Sequence, residues 1–98
     1  MNIMPFPSTY KLALLKKTKT STIRVGAEMK KYEVDKTYIA HSYKGDNWKV
    51  KIKIINIFTT PIKNLADFGI PKKSIESLVK KTKLKNKDFV ELINFKYL

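Results

Sequence analysis

From Trp48 onward the chain alternates without a break: Trp48, Val50, Ile52 and Ile54 are apolar, and Lys49, Lys51 and Lys53 stand between them. A period of two places successive side chains on opposite faces, so this stretch is a strand with one core face and one lysine comb. The phase then slips. Ile54 and Ile55 are adjacent, and Ile55 and Ile57 continue on the side the lysines held. A β-bulge or bend near Ile55 accounts for the slip, as in strands that turn a barrel corner. The strand is expected over Trp48–Phe58, and Pro61 ends it. Ahead of it, Lys44-Gly45-Asp46-Asn47 is a hairpin turn signal, and Thr37–Tyr43 is its partner strand.

The remaining elements follow from weaker signals. Ser8, after Pro7, is a plausible cap for a short helix over Thr9–Lys16. Thr18–Arg24, with three threonines and an isoleucine, has strand propensity without strong hydrophobicity. Val25–Lys36, which contains Gly26, is irregular. Ile62–Asp67 is one helical turn ending at Gly69. Pro71 opens a second helix running to about Lys81, with Ile75, Leu78 and Val79 as its apolar stripe. Asp88–Tyr97 alternates again, as a closing strand covered in part on both faces. Hairpins with small helices, and no regular strand–helix alternation, predict an α+β fold: a small, mostly antiparallel β-barrel with short capping helices.

Ninety-eight residues suit a single domain. The absence of cysteine excludes a disulfide scaffold, thiolate metal sites and thiol nucleophiles, and agrees with a cytoplasmic location. The opening Met1–Pro7 lacks the basic and apolar regions of a signal peptide, and no apolar run approaches a membrane span. The balance of 21 basic to 8 acidic residues, net +13, favours a polyanionic partner. Twenty of those basic residues are lysine, and an excess of that kind is also what a biased genome writes.

The segment Leu14-Leu15-Lys16-Lys17-Thr18-Lys19-Thr20-Ser21-Thr22-Ile23-Arg24 resembles the signature of the ASCH family: a helix, a short turn, then a lysine–threonine strand ending in arginine. Tyr32–Ala40, the Lys49–Phe58 strand, the Leu65–Ile70 corner, the helix from Ser74 and the Phe89–Phe95 strand sit in the family's order. Where the family usually carries glycine before the lysine–threonine strand, this chain has Lys17 or Thr18. The resemblance implies a single PUA-like domain over 1–98, with a cleft beside the Lys19–Arg24 strand that takes RNA or a nucleotide. It also implies an alternative, since small members are amidohydrolases that remove an acetyl group from a modified cytidine. Lys19 and Thr22 match two positions of that catalytic set. Phe68 stands at the expected carboxylate, with Asp67 beside it as the candidate acid.

The residues themselves carry the same two readings. Arg24 is the single arginine; its planar fork suits a phosphate or a base edge, and an ion pair with Glu28 or Asp35 is the structural alternative. A regular strand separates Lys19 from Thr22, so the two converge only if the strand begins irregularly. For catalysis, Lys19 is the candidate base and Thr22 the nucleophile or water holder. For binding, Lys19, Thr20, Ser21 and Arg24 are candidates in the cleft, joined by Tyr43 as a stacking ring and by Lys49, Lys51 and Lys53 tracking a backbone. Trp48 is in phase with the core, and His41, the single histidine, reads as structural. RNA or a nucleotide is the expected partner of a monomer, with no metal, cofactor or membrane.

Overall fold

A computed structural model describes residues 2–45 and 47–98. Five strands form one sheet: β1 (Asn2–Phe6), β2 (Ser21–Arg24), β3 (Thr37–Ser42), β4 (Lys49–Pro61) and β5 (Phe89–Tyr97). Helix α1 (Lys11–Leu15) lies between β1 and β2, and α2 (Lys72–Thr82) between β4 and β5. Single 3₁₀ turns occupy Ser8–Tyr10 and Gly26–Glu28, and a seven-residue 3₁₀ segment spans Ile62–Phe68. The spatial order is β1-β3-β4-β5-β2; β1 pairs with β3 in parallel, and every other pair is antiparallel. The fold class is α+β, as expected. The closed barrel is not formed: β1 and β2 are the open edges of the sheet.

The register assigns each side chain to a face. Met4, Phe6, Tyr38, Ala40, Ile52, Ile54, Ile93 and Phe95 share one face and pack with Leu14 of α1 and with Tyr32. On the other face, Val90 and Leu92 pack with Ile62 and Leu65 and with the expected α2 stripe of Ile75, Leu78 and Val79. Strand β5 sits between β4 and β2, and its two faces contribute to the two clusters, so Val90–Ile93 and Phe95 are buried.

The phase slip in β4 is a bulge. Ile54 pairs with Phe95 and Asn56 with Asn94, which leaves Ile55 outside the ladder. Ile54 is fully buried, whereas Ile55 is 48% exposed. A bulge bends its strand and raises the local twist, and the consequence spans the sheet. Four inter-strand gaps of about 4.8 Å would hold the edges of a flat sheet about 19 Å apart. Instead, the Arg24 guanidinium of β2 lies 4.7 Å from the centre of the Phe6 ring on β1. The sheet is curled until its two edges face each other across a seam bridged by side chains.

Strand β1 was not expected from the sequence. Pro5 interrupts its pattern, yet β1 is an edge, where proline removes no needed ladder bond. Alternation still holds within it, since Met4 and Phe6 are fully buried on the core face. The expected hairpin turn lies between β3 and β4, although Asp46 is outside the described residues. The turn after β4 ends at Gly69, whose φ of 85° suits a residue without a Cβ, and its N–H closes on Ala66 O. Pro71 stands at the N-cap, one position before its expected place. Among the described residues no helix is long and apolar enough to cross a membrane.

The bulge sets two neighbouring isoleucines in contrast. Ile54→Ala is expected to cost about 2–5 kcal/mol, and Ile55→Ala no more than about 0.5 kcal/mol. Urea unfolding of the two variants measures both, and equal losses would mean that the bulge is elsewhere.

Candidate functional site

The seam opens into a cleft of about 540 Å³ that runs along the outer edge of β2. One wall comes from the N-terminal segment, with Pro7, Tyr10, Lys19 and Arg24. The other comes from α2, where Lys73, Ser77 and Lys81 follow at four-residue intervals and therefore share one face. Four cationic side chains line the cleft, against the single carboxylate of Glu28.

Arg24 is placed by the ladder. It pairs with Glu91 on β5, so its side chain points to the core face and into the seam. The guanidinium lies over Phe6, with the Tyr32 ring 5.6 Å away. Such stacking is worth roughly 0.5–2 kcal/mol when desolvated. Nη1 is 3.4 Å from Glu28 Oε1, a long contact, and the Glu28 carboxylate is held closer by Lys31 at 2.6 Å. The ion pair with Glu28 is therefore made, and the one with Asp35 is not. Arg24 is only 5% exposed, and its Nε is buried without a hydrogen-bond partner among the described residues. An unmet donor on a buried cation is costly, and it marks where an acceptor would be stabilised.

Lys19 reaches the same cleft because β2 starts late. Just after helix α1, Lys17 adopts the left-handed region (φ 61°), which favours glycine. Thr18 N closes back on Ala13 O at 2.9 Å, and residues 18–20 are irregular before the strand begins at Ser21. That irregular start lets Lys19 and Thr22 line one cleft. The Tyr97 hydroxyl donates to the Lys19 carbonyl, and the Lys19 ammonium lies 4.1 Å over the Tyr10 ring. Burial, and then the neighbouring Arg24 charge, hold the Lys19 ammonium below its ordinary pKa. Glu28 is shifted below the usual carboxylate range, chiefly by its hydrogen bond from Lys31, and stays ionised.

The other sequence candidates divide. Ser21 and Tyr43 line the cleft; Tyr43 is fixed there by its N–H donating to Phe6 O at 3.2 Å, and its ring is 59% exposed. Thr20 does not line it, although its carbonyl accepts from Phe95 N. Asp67 is a correction: the turn Ile62–Phe68 buries Ile62 and Leu65 and leaves Asp67 exposed, outside the cleft lining, and Glu76 is likewise outside it. Lys49, Lys51 and Lys53 also lie outside the cleft. Their cross-strand partners His41, Ile39 and Thr37 put them on the face of β4 opposite Ile52, so the comb and the cleft are separate surfaces. Trp48 is buried in the core cluster. The residues missed by sequence reasoning are Lys73, Ser77 and Lys81, whose signal was their four-residue spacing beside the apolar stripe, and Glu91. The Glu91 carboxylate is buried and accepts Lys30 N at 2.9 Å, which ties the Gly26–Lys30 loop to the sheet.

Comparison with the known protein families, with curated proteins and with solved structures gave no match to this chain.

Two measurements follow from this geometry. Arg24→Lys keeps the charge but loses the stack over Phe6, and a loss of about 1–2 kcal/mol is expected in thermal or urea unfolding. For Lys19 the folded-state pKa lies below 10.5, so its destabilising charge is fully present below the folded value and is relieved as pH rises towards 10.5. The stability of the native protein relative to Lys19→Met should therefore increase with pH across that window. A difference that stays constant from pH 7 to 10.5 would contradict the burial of this ammonium.

Proposed function

We propose that this chain is an RNA- or nucleotide-binding module of the PUA-like, ASCH-related kind, with its ligand in the cleft beside Lys19–Arg24. The observation that carries this reading is the buried Arg24, whose Nε lacks an acceptor in a cleft that also presents Lys19, Lys73 and Lys81. A ligand phosphate in the cleft would meet a guanidinium whose charge is under-compensated, and the guanidinium fork suits it. The long Arg24–Glu28 contact is weaker than the one Glu28 makes with Lys31, so a stronger anion can take Arg24 while Lys31 retains Glu28. A cleft of about 540 Å³ falls within the range of small-molecule sites. Lys49 and Lys51, exposed on their own face, add non-specific attraction for a longer strand.

Titrating a fluorescently labelled single-stranded RNA at several salt concentrations tests this reading. The logarithm of the affinity should fall linearly with that of salt, with a slope of about −0.7 per neutralised phosphate. Arg24→Met should weaken binding at every salt concentration, and a salt-independent affinity would overturn the proposal.

A second reading is favoured by one observation: the deprotonation-prone Lys19 and the Thr22 hydroxyl line the same cleft. In an amidohydrolase of acetylcytidine type, Lys19 would take a proton from water or from Thr22 as the acetyl carbonyl is attacked. The carboxylate in the cleft is then Glu28 rather than Asp67. Incubation with N4-acetylcytidine should release cytidine and acetate in equal amounts if this holds, and no release, with RNA binding intact, leaves the binding module.

A further inference from the structure

The floor of the cleft is a free strand edge, because β2 has β5 on one side and no strand on the other. Phe95 N donates to Thr20 O at 2.9 Å, which sets the phase of the β2–β5 ladder. In an antiparallel pair, backbone groups of alternate residues turn towards the partner and away from it. Thr22 and Arg24 therefore spend their backbone groups on β5, and those of Ser21 and Ile23 are directed outward. Both Ser21 and Ile23 line the cleft.

From this placement we propose that the cleft takes an unpaired nucleobase, whose Watson–Crick edge hydrogen-bonds the outward backbone of Ser21 and Ile23. This rests on the nucleotide reading above and specifies what is recognised. A carbonyl at Ser21 and an amide at Ile23, two residues apart on an extended edge, form an acceptor followed by a donor. Each base carries a donor beside an acceptor on its Watson–Crick edge. That edge is occupied in a duplex, so the site selects single strands, loops or free nucleotides. The exposed Tyr43 ring at the cleft offers a stacking face, and the surrounding ammonium and guanidinium groups meet the phosphates.

An added peptide strand is the competing occupant of a free edge. Strand β2 has only four residues, with the 3₁₀ turn Gly26–Glu28 soon after it, and two of them face outward, which is too short a template for a stable added strand. The cluster of cations around so short an edge suits a nucleotide better.

The test uses the intact chain, labelled with ¹⁵N, and titrates UMP, 5-methyl-UMP, 3-methyl-UMP and ribose 5-phosphate. UMP and 5-methyl-UMP should bind alike and shift the Ile23 amide downfield. Methylation at N3 blocks the Watson–Crick edge, and ribose 5-phosphate lacks the base. Each should bind about tenfold or more weakly and leave the Ile23 amide in place. If ribose 5-phosphate binds as tightly as UMP, the cleft reads phosphate alone; this inference falls, and salt-dependent RNA binding survives. Shifts of the same amides by hexaglutamate but by none of the nucleotides would overturn it in favour of strand addition. Failure of the salt-dependent RNA titration as well would remove the nucleotide reading itself.

Discussion

The contact on which this architecture turns is a guanidinium lying on a phenyl ring. Arg24 and Phe6 belong to the two opposite edges of a five-stranded sheet, and they meet at 4.7 Å. Nothing in the hydrogen-bond ladder requires the meeting, because β1 and β2 do not pair. The sheet, bulged at Ile55 in its central strand, curls until the edges face each other, and the arginine fills the gap that a closed barrel would bridge with backbone. The same side chain then serves both fold and site: its guanidinium lies against aromatic rings, its Nε is buried without an acceptor, and the residue lines the cleft. A lysine, with a compact and strongly hydrated charge, suits neither task as well.

Charge is organised into two regions with different physics. On the β3–β4 face, Lys49 and Lys51 are exposed in high dielectric, where each contributes modest, salt-screened attraction. In the cleft, Lys19 and Arg24 are partly desolvated, repel each other, and are countered by one carboxylate that Lys31 already holds. Desolvated, under-neutralised cations attract an anion more strongly than solvated ones of the same formal charge. The net charge of +13 alone does not separate these regions; the register of β4 and the late start of β2 do.

Periodicity made the middle and end of the chain legible. The alternation of Trp48–Ile54, the slip at Ile55, the α2 stripe and the closing strand are all local patterns, and each corresponds to an observed element. The convergence of Lys19, Thr22 and Arg24 on one cleft was legible from the lysine–threonine–arginine segment, given an irregular start. Edges and long-range partners were not legible. Pro5 masked β1, and its parallel pairing with β3 leaves no mark in either sequence. Asp67 was drawn in by its neighbours in the chain, but the turn needs Ile62 and Leu65 inside, and that rotates Asp67 out to solvent. The contribution of α2 to the cleft depends on which way the helix lies across the sheet, and a helical wheel cannot supply that.

Both edge strands come from the first quarter of the chain, while β3, β4 and β5 are contiguous in space and later in sequence. Residues 2–24 thus act as a clasp around a three-stranded meander. Its grip is made of distant pairings: Asn2 with Tyr38 at one side and Arg24 with Glu91 at the other. The β2–β5 pairing closes the longest loop in the sheet, and each edge strand is held on one side only, so partial opening begins at the clasp rather than in the meander. Since the clasp carries Lys19, Thr22 and Arg24, its release dissolves the cleft while much of the core stays assembled. Any ligand that spans the cleft from β2 to α2 therefore holds the clasp shut.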